Sequence, residues 1–155
     1  MEPTFITRRS IRLAGVAAKG HPKDIDFNTI WNAAFMQIKD ALAPLSVDGG
    51  YYGAWFPQPD GVPIFMAGMA VGEHTEIPTG VEVRTMPAAT YAVFLCELEH
   101  MLDTVKMAFD QWLPASTQYR LDEAASDFEF FPKAAEDGSF QPAVYIPVLE
   151  KQLER

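Results

Sequence analysis

The chain has 155 residues, the usual size of one domain, and its 48% hydrophobic and 21% charged residues exclude a disordered or fibrous protein. No apolar run is long enough to cross a bilayer. Twenty-one acids against twelve bases leave a net charge of −9, which argues against direct nucleic-acid binding, because phosphates must be neutralised by grouped Lys and Arg.

The elements follow in chain order. Arg8, Arg9 and Arg12 form the only basic cluster, and at strand spacing they divide between two faces. Arg8-Arg9 also precedes a small apolar stretch, Leu13 to Ala18. Lys19 ends that stretch after six residues, too few for a twin-arginine export signal, so a cytoplasmic chain is expected. Ile11 to Ala18 reads as the first strand. Ile30, Trp31, Ala34, Phe35, Ile38, Ala41 and Leu42 then recur at helical steps, with Asp24 or Asp26 as cap and Pro44 at the end. Tyr51 to Phe56 is an aromatic strand closed by Pro57, and Ile64 to Val71 is the next strand. Gly72 to Gly80 reads as a connector and Val81 to Met86 as a further strand.

The second part repeats that order. Tyr91 to Cys96 is a short apolar strand. Leu98, Met101, Leu102, Val105, Ala108, Phe109, Trp112 and Leu113 form a second amphipathic helix, which Pro114 stops. Phe128 to Phe131 is an aromatic strand closed by Pro132, and Ala143 to Val148 is the last. The chain is therefore read as one α+β domain built from duplicated β-α-β-β units, about 5–72 and 81–149. They would form one antiparallel sheet with two helices on one side and a ligand cleft between the halves.

Few residues carry chemistry. Cys96 is the single cysteine, set among apolar neighbours, and reads as a packed thiol in a reducing compartment. The three histidines lack metal-ligand spacing, so no metal is expected, and the chain has no serine-nucleophile motif, phosphate loop or dinucleotide fingerprint and so no expected cofactor. Glu129 stands out because it interrupts Phe128, Phe130 and Phe131. A carboxylate inside an apolar strand must be paired, protonated or exposed. A bound cation would supply a partner, and nearby aromatic rings would add cation–π attraction; an edge glutamate facing water is the other reading. Parity puts Glu129 with Phe131 on one face, opposite Phe128 and Phe130. If Phe56-Pro57 and Phe131-Pro132 are equivalent, Tyr52, Ala54 and Phe56 share the cleft face, and Tyr51 and Trp55 face the helices. A slip of one residue reverses this and brings Trp55 into the cleft. Trp31 and Trp112 close their helical stripes and fit the core. Tyr91 fits either face.

Four segments resemble a known family: Met86-Pro-Ala-Ala-Thr-Tyr-Ala-Val-Phe94, Trp112-Leu-Pro114, Asp127-Phe-Glu-Phe130 and Val144-Tyr-Ile-Pro-Val148. They are similar to the GyrI-like small-molecule-binding domain, which also serves as the effector-binding domain of MerR- and AraC-type multidrug regulators. The resemblance implies a pseudo-twofold fold whose central cleft takes drug-like, often cationic aromatic compounds. It points to Glu129 as the acidic anchor and to Tyr145 as a pocket-lining tyrosine. Some relatives carry a second carboxylate two residues before that tyrosine, where this chain has Ala143. Nothing at either end resembles a helix-turn-helix, so a stand-alone copy is expected.

The expected ligand site thus comprises Glu129, Tyr145, Phe131, Tyr52, Phe56, Trp55 and Trp112. Three functions compete. The first is binding of amphipathic cations for sensing or sequestration. The second, implied by the resemblance, is a hydrolase that opens strained cyclopropane rings with Glu129 as base and Tyr145 as donor. The third is an inhibitor of a protein partner such as DNA gyrase, acting through acidic loops such as Asp122-Glu123 and Glu136-Asp137.

Overall fold

The computed structural model describes residues 2–152. Nine antiparallel strands form one sheet: β1 Thr4–Arg8, β2 Ile11–Lys19, β3 Tyr51–Phe56, β4 Ile64–Val71, β5 Glu82–Met86, β6 Ala89–Leu95, β7 Tyr119–Leu121, β8 Phe128–Phe131 and β9 Ala143–Glu150. The order across the sheet is β1-β6-β9-β8-β3-β4-β2-β5, with β7 paired to β9. Both halves repeat the same path, two strands, helix and two strands, with β7 added after the second helix, and they meet at the β3–β8 pair.

Two strands were not anticipated. β1 is mostly exposed and its partner β6 lies far along the chain, and β7 has only three residues, so neither carries a local pattern. β1 changes the architecture. Six strand spacings separate it from β2 along the sheet, about 29 Å if the sheet were flat. The Arg9-Ser10 link can span only about 11 Å. The same holds for β5 and β6, joined by Pro87-Ala88. The sheet must therefore curl back on itself, and the β1–β6 and β2–β5 pairs run in one unbroken register. Gly15 opposite Gly68 permits the bend, because a Cβ at Gly15 would overlap the Ala67 carbonyl.

Curling gives the sheet an inner and an outer face. The inner face holds a core of Leu13, Tyr52, Ala54, Phe56, Met66, Met86, Tyr91 and Phe128 with no helix over it. The outer face carries both helices. The first, α1, runs through Phe27–Thr29, a π-helical turn at Ile30–Ala34, and Phe35–Leu42. Its N-cap is Asp26, whose carboxylate accepts from the Thr29 amide at 3.1 Å. It packs on Ala14, Phe65, Ala67 and Met69. The second, α2, runs through Met101–Met107, a π-helical turn at Ala108–Trp112, and Leu113–Ala115. It packs on Ala92, Phe94, Val144 and Ile146. A π-helical turn inside each helix widens its backbone locally, a feature that recurs at functional sites. No described helix is long and apolar enough to cross a membrane.

Candidate functional site

The outer face of the β3–β8 pair lies between the two helices, and three cross-strand pairs form its floor. Tyr51 opposes Phe131 and Gly53 opposes Glu129. Trp55 comes next and donates its amide to the Asp127 carbonyl at 3.0 Å. This strip is the base of a groove. At one end a cavity of about 470 Å³ is lined by Trp31, Tyr51, Leu98, Phe131, Lys133 and Phe140, among others. At the other end a cavity of about 480 Å³ includes Trp55, Val105, Phe109, Asp122, Glu123 and Asp127 in its wall. Strand parity puts Glu129 midway, one side-chain step from each.

The middle of the groove is covered by Trp31. A Cβ built on Gly53 would lie 3.3 Å from Trp31 Cζ2 and 3.3 Å from the tip of Phe65. Trp31 also meets Phe131 edge-on, with ring centroids 5.7 Å apart. The absence of a side chain at Gly53 therefore lets the Trp31 and Phe65 rings pack down onto the strand opposite Glu129.

Both carboxylates on the strip are electrically unsatisfied. Among the described residues, no ion pair is formed by Asp127 or Glu129. Burial, reinforced by the neighbouring Asp127 charge, pushes the Glu129 carboxyl up to about 7. Burial pushes Asp127 up to about 6. Desolvation disfavours the ionised form of each, and each would be stabilised by a cation placed above the strip. The Cys96 thiol, raised by its own burial, also feels the Glu129 charge. Cys96 is enclosed by the α2 side of the core, as a packed thiol would be.

The structure brings together only part of the expected site. Glu129, Phe131 and Trp55 share the groove. Tyr52, Phe56 and Tyr145 do not: they point to the inner face, where Phe128 stacks on Tyr145 at 4.4 Å and Tyr52 packs on Phe130 at 4.9 Å. The expectation that Tyr52, Ala54 and Phe56 accompany Glu129 is therefore corrected by one residue, the slip that puts Tyr51 and Trp55 beside it. The cause is register. Gly53, not Ala54, faces Glu129, so Phe56-Pro57 and Phe131-Pro132 are not equivalent positions. Trp112 lies elsewhere, against Phe94 at 5.3 Å on the far side of α2. Tyr91 is buried on the inner face.

On the inner face the Tyr52 hydroxyl is satisfied, while the buried Arg84 Nε, over the Phe56 ring, has no hydrogen-bond partner among the described residues. The Tyr52 hydroxyl donates to Asp48 at 2.7 Å and accepts from the Arg8 guanidinium at 3.4 Å. Arg8 also sits 5.9 and 5.7 Å from the ring centres of Phe128 and Tyr145. Burial, with the Asp48 contact, holds the Tyr52 hydroxyl well above the ordinary phenol range. Sequence reasoning missed Asp127, Trp31 and Gly53 as groove residues. Asp127 had a signal available, since it stands two residues before Glu129 and must share its face in a continuous strand. The described residues contain no group of three or more His, Cys, Asp or Glu placed to hold a metal.

The fold recurs in solved structures. SAV2435 bound to tetraphenylphosphonium superposes with a TM-score of 0.77 at 16% identity, over 96% of this chain and 94% of that one. A putative bacterial transcription regulation protein from Staphylococcus aureus MU50 gives 0.74 at 14% identity, over 96% and 98% of the two chains. The C-terminal domain of EcmrR gives 0.64 at 10% identity, over 97% and 98%. At these identities the likeness concerns the fold. No curated protein matches the sequence. The chain, matched over residues 1–149, belongs to the GyrI-like small molecule binding domain family.

Proposed function

We propose that the groove binds amphipathic aromatic cations, with Glu129 as the charged anchor, and that the protein senses or sequesters them. One observation carries the reading. Glu129 is a half-buried carboxylate with no ion-pair partner among the described residues, set between two largely apolar cavities and opposite a glycine. A cation at that point gains a charge-assisted contact, and the Trp31 and Phe131 rings, set at 77° to each other, stand beside it. The fold neighbour that holds tetraphenylphosphonium supports this choice of ligand class. The reading treats residues 5–72 and 81–149 as two repeats of one domain, with the site on their boundary.

The hydrolase reading has less support. It requires Glu129 and Tyr145 at one substrate, and they stand on opposite faces of the sheet. The inhibitor reading relied on acidic loops, and Asp122-Glu123 instead contributes to a cavity wall.

Titration with tetraphenylphosphonium, followed by tryptophan fluorescence, tests the proposal. Wild type should bind, and Glu129→Gln should weaken binding by about tenfold or more, as removal of a desolvated charge partner does. Triphenylphosphine oxide, a neutral analogue, should be indifferent to the substitution. Equal affinity of both proteins for the cation would refute the anchor.

A further inference from the structure

We propose that the groove is a two-charge site, in which Asp127 is a second anchor and the preferred ligand is a flat aromatic dication. The inference deepens the Glu129 reading and rests on it. Asp127 immediately precedes β8 and its carbonyl continues the ladder to Trp55, so its side chain and that of Glu129 leave the same face about 7 Å apart. Asp127 is part of the wall of the 480 Å³ cavity. Across the strand pair from it stands Trp55, whose amide holds the Asp127 carbonyl in the ladder. Trp55 and Phe109 give that cavity two aromatic surfaces suited to a delocalised cation.

The two cavities differ in charge, and this decides where the second positive centre goes. The Asp127 cavity is lined by three acids, Asp122, Glu123 and Asp127, and by no base. The opposite cavity is lined by Lys133 and no acid. A dication anchored at Glu129 would therefore extend towards Trp55 and away from Lys133. The Asp127 carboxylate has no ion-pair partner among the described residues, and no side chain of theirs donates a hydrogen bond to it. A structural acid in an enclosed site ordinarily has such a donor. Its repulsion of Glu129 is relieved by two positive centres better than by one.

The test compares N-methyl-4-phenylpyridinium with N,N′-dimethyl-4,4′-bipyridinium, which share shape and ring number but carry one and two charges. The ring nitrogens of the dication are separated by a distance similar to that between the two side chains. Wild type should prefer the dication by about tenfold, the size of one added charge contact. Asp127→Asn should abolish that preference, and Glu129→Gln should weaken both probes. Calorimetry of wild type at pH 6.5, in two buffers of different ionisation enthalpy, gives a second readout that needs no variant. The dication should release more protons than the monocation, because it ionises both carboxyls. If neither probe binds, or Glu129→Gln changes nothing, the anchor reading fails and this inference with it. If the monocation binds through Glu129 but the dication shows no preference, no extra proton release or no response to Asp127→Asn, the second anchor alone is overturned.

Discussion

On the inner face of the β3–β8 pair, Phe128 stacks on Tyr145, Phe130 meets it edge-on, Tyr52 packs on both phenylalanines, and the Arg8 guanidinium is matched by the Tyr52 hydroxyl and by ring faces. On the outer face, one residue along the same two strands, Asp127 and Glu129 lack ion-pair partners among the described residues and lie along a groove with a cavity at each end. Both faces are rich in aromatic residues, so aromatic content does not separate core from ligand surface. The pairing of the carboxylates does: Asp48 accepts from the inner-face Tyr52 hydroxyl, whereas Asp127 and Glu129 accept from no described side chain. A buried polar group with partners stabilises a unique packing, whereas one without them stores a cost that a ligand can relieve.

The largest expected effect tests the inner face as core. Phe128→Ala should destabilise the protein by about 3–5 kcal/mol in a denaturant titration, the cost of emptying a closed aromatic position. Trp55→Ala, on the groove, should cost about 1–2 kcal/mol because its side chain is only half-buried. If the two truncations cost the same, the contrast between the faces is wrong.

Glu129 provides the next effect, and its sign follows from a folded-state carboxyl raised to about 7. Such a group favours folding below the ordinary carboxyl range and loses that contribution as pH rises through 7. Glu129→Gln should therefore match wild type in stability near pH 4 and exceed it by about 2–3 kcal/mol near pH 8. Denaturant curves at both values check this, and a variant less stable at pH 8 would show that the carboxylate has a structural partner. Ligand affinity should follow the opposite course: wild type should bind tetraphenylphosphonium more tightly at pH 8 than at pH 5, since the anchor ionises over that interval.

Tyr52→Phe sharpens the comparison from the satisfied side. It removes the hydroxyl between Asp48 and Arg8 and should cost about 1 kcal/mol, with tetraphenylphosphonium affinity unchanged. Gly53→Ala is the smallest step. The new methyl would meet Trp31 and Phe65 at 3.3 Å, and the lower backbone entropy of alanine offsets part of that crowding, so stability should move by under about 1 kcal/mol. Binding should weaken severalfold, because the methyl pushes aside the Trp31 ring that covers the middle of the groove. A fluorescence titration that shows unchanged affinity would place the ligand elsewhere.

Much of this was legible before the fold was known. Pro57 and Pro132 closed the aromatic strands at Phe56 and Phe131, and Ile64–Val71 emerged with its observed bounds, because turn residues and apolar runs act locally. Glu129 was also legible, since a carboxylate among three phenylalanines is anomalous on any face. The face it shares was not. Parity along one strand groups Asp127, Glu129 and Phe131, but only the pairing of β3 with β8 says that Gly53 rather than Ala54 stands opposite.

The amino-acid sequence by itself determined the repeated strand-helix order, the family, and the presence of one misplaced carboxylate, because each depends on residue type and short spacing. Tertiary structure alone decided that the sheet curls, that Tyr52, Phe56 and Tyr145 turn inward, and that Trp31 covers the groove. Those outcomes depend on contacts between residues far apart in the chain. A register shift of one residue, invisible to local pattern, exchanges the faces of a strand.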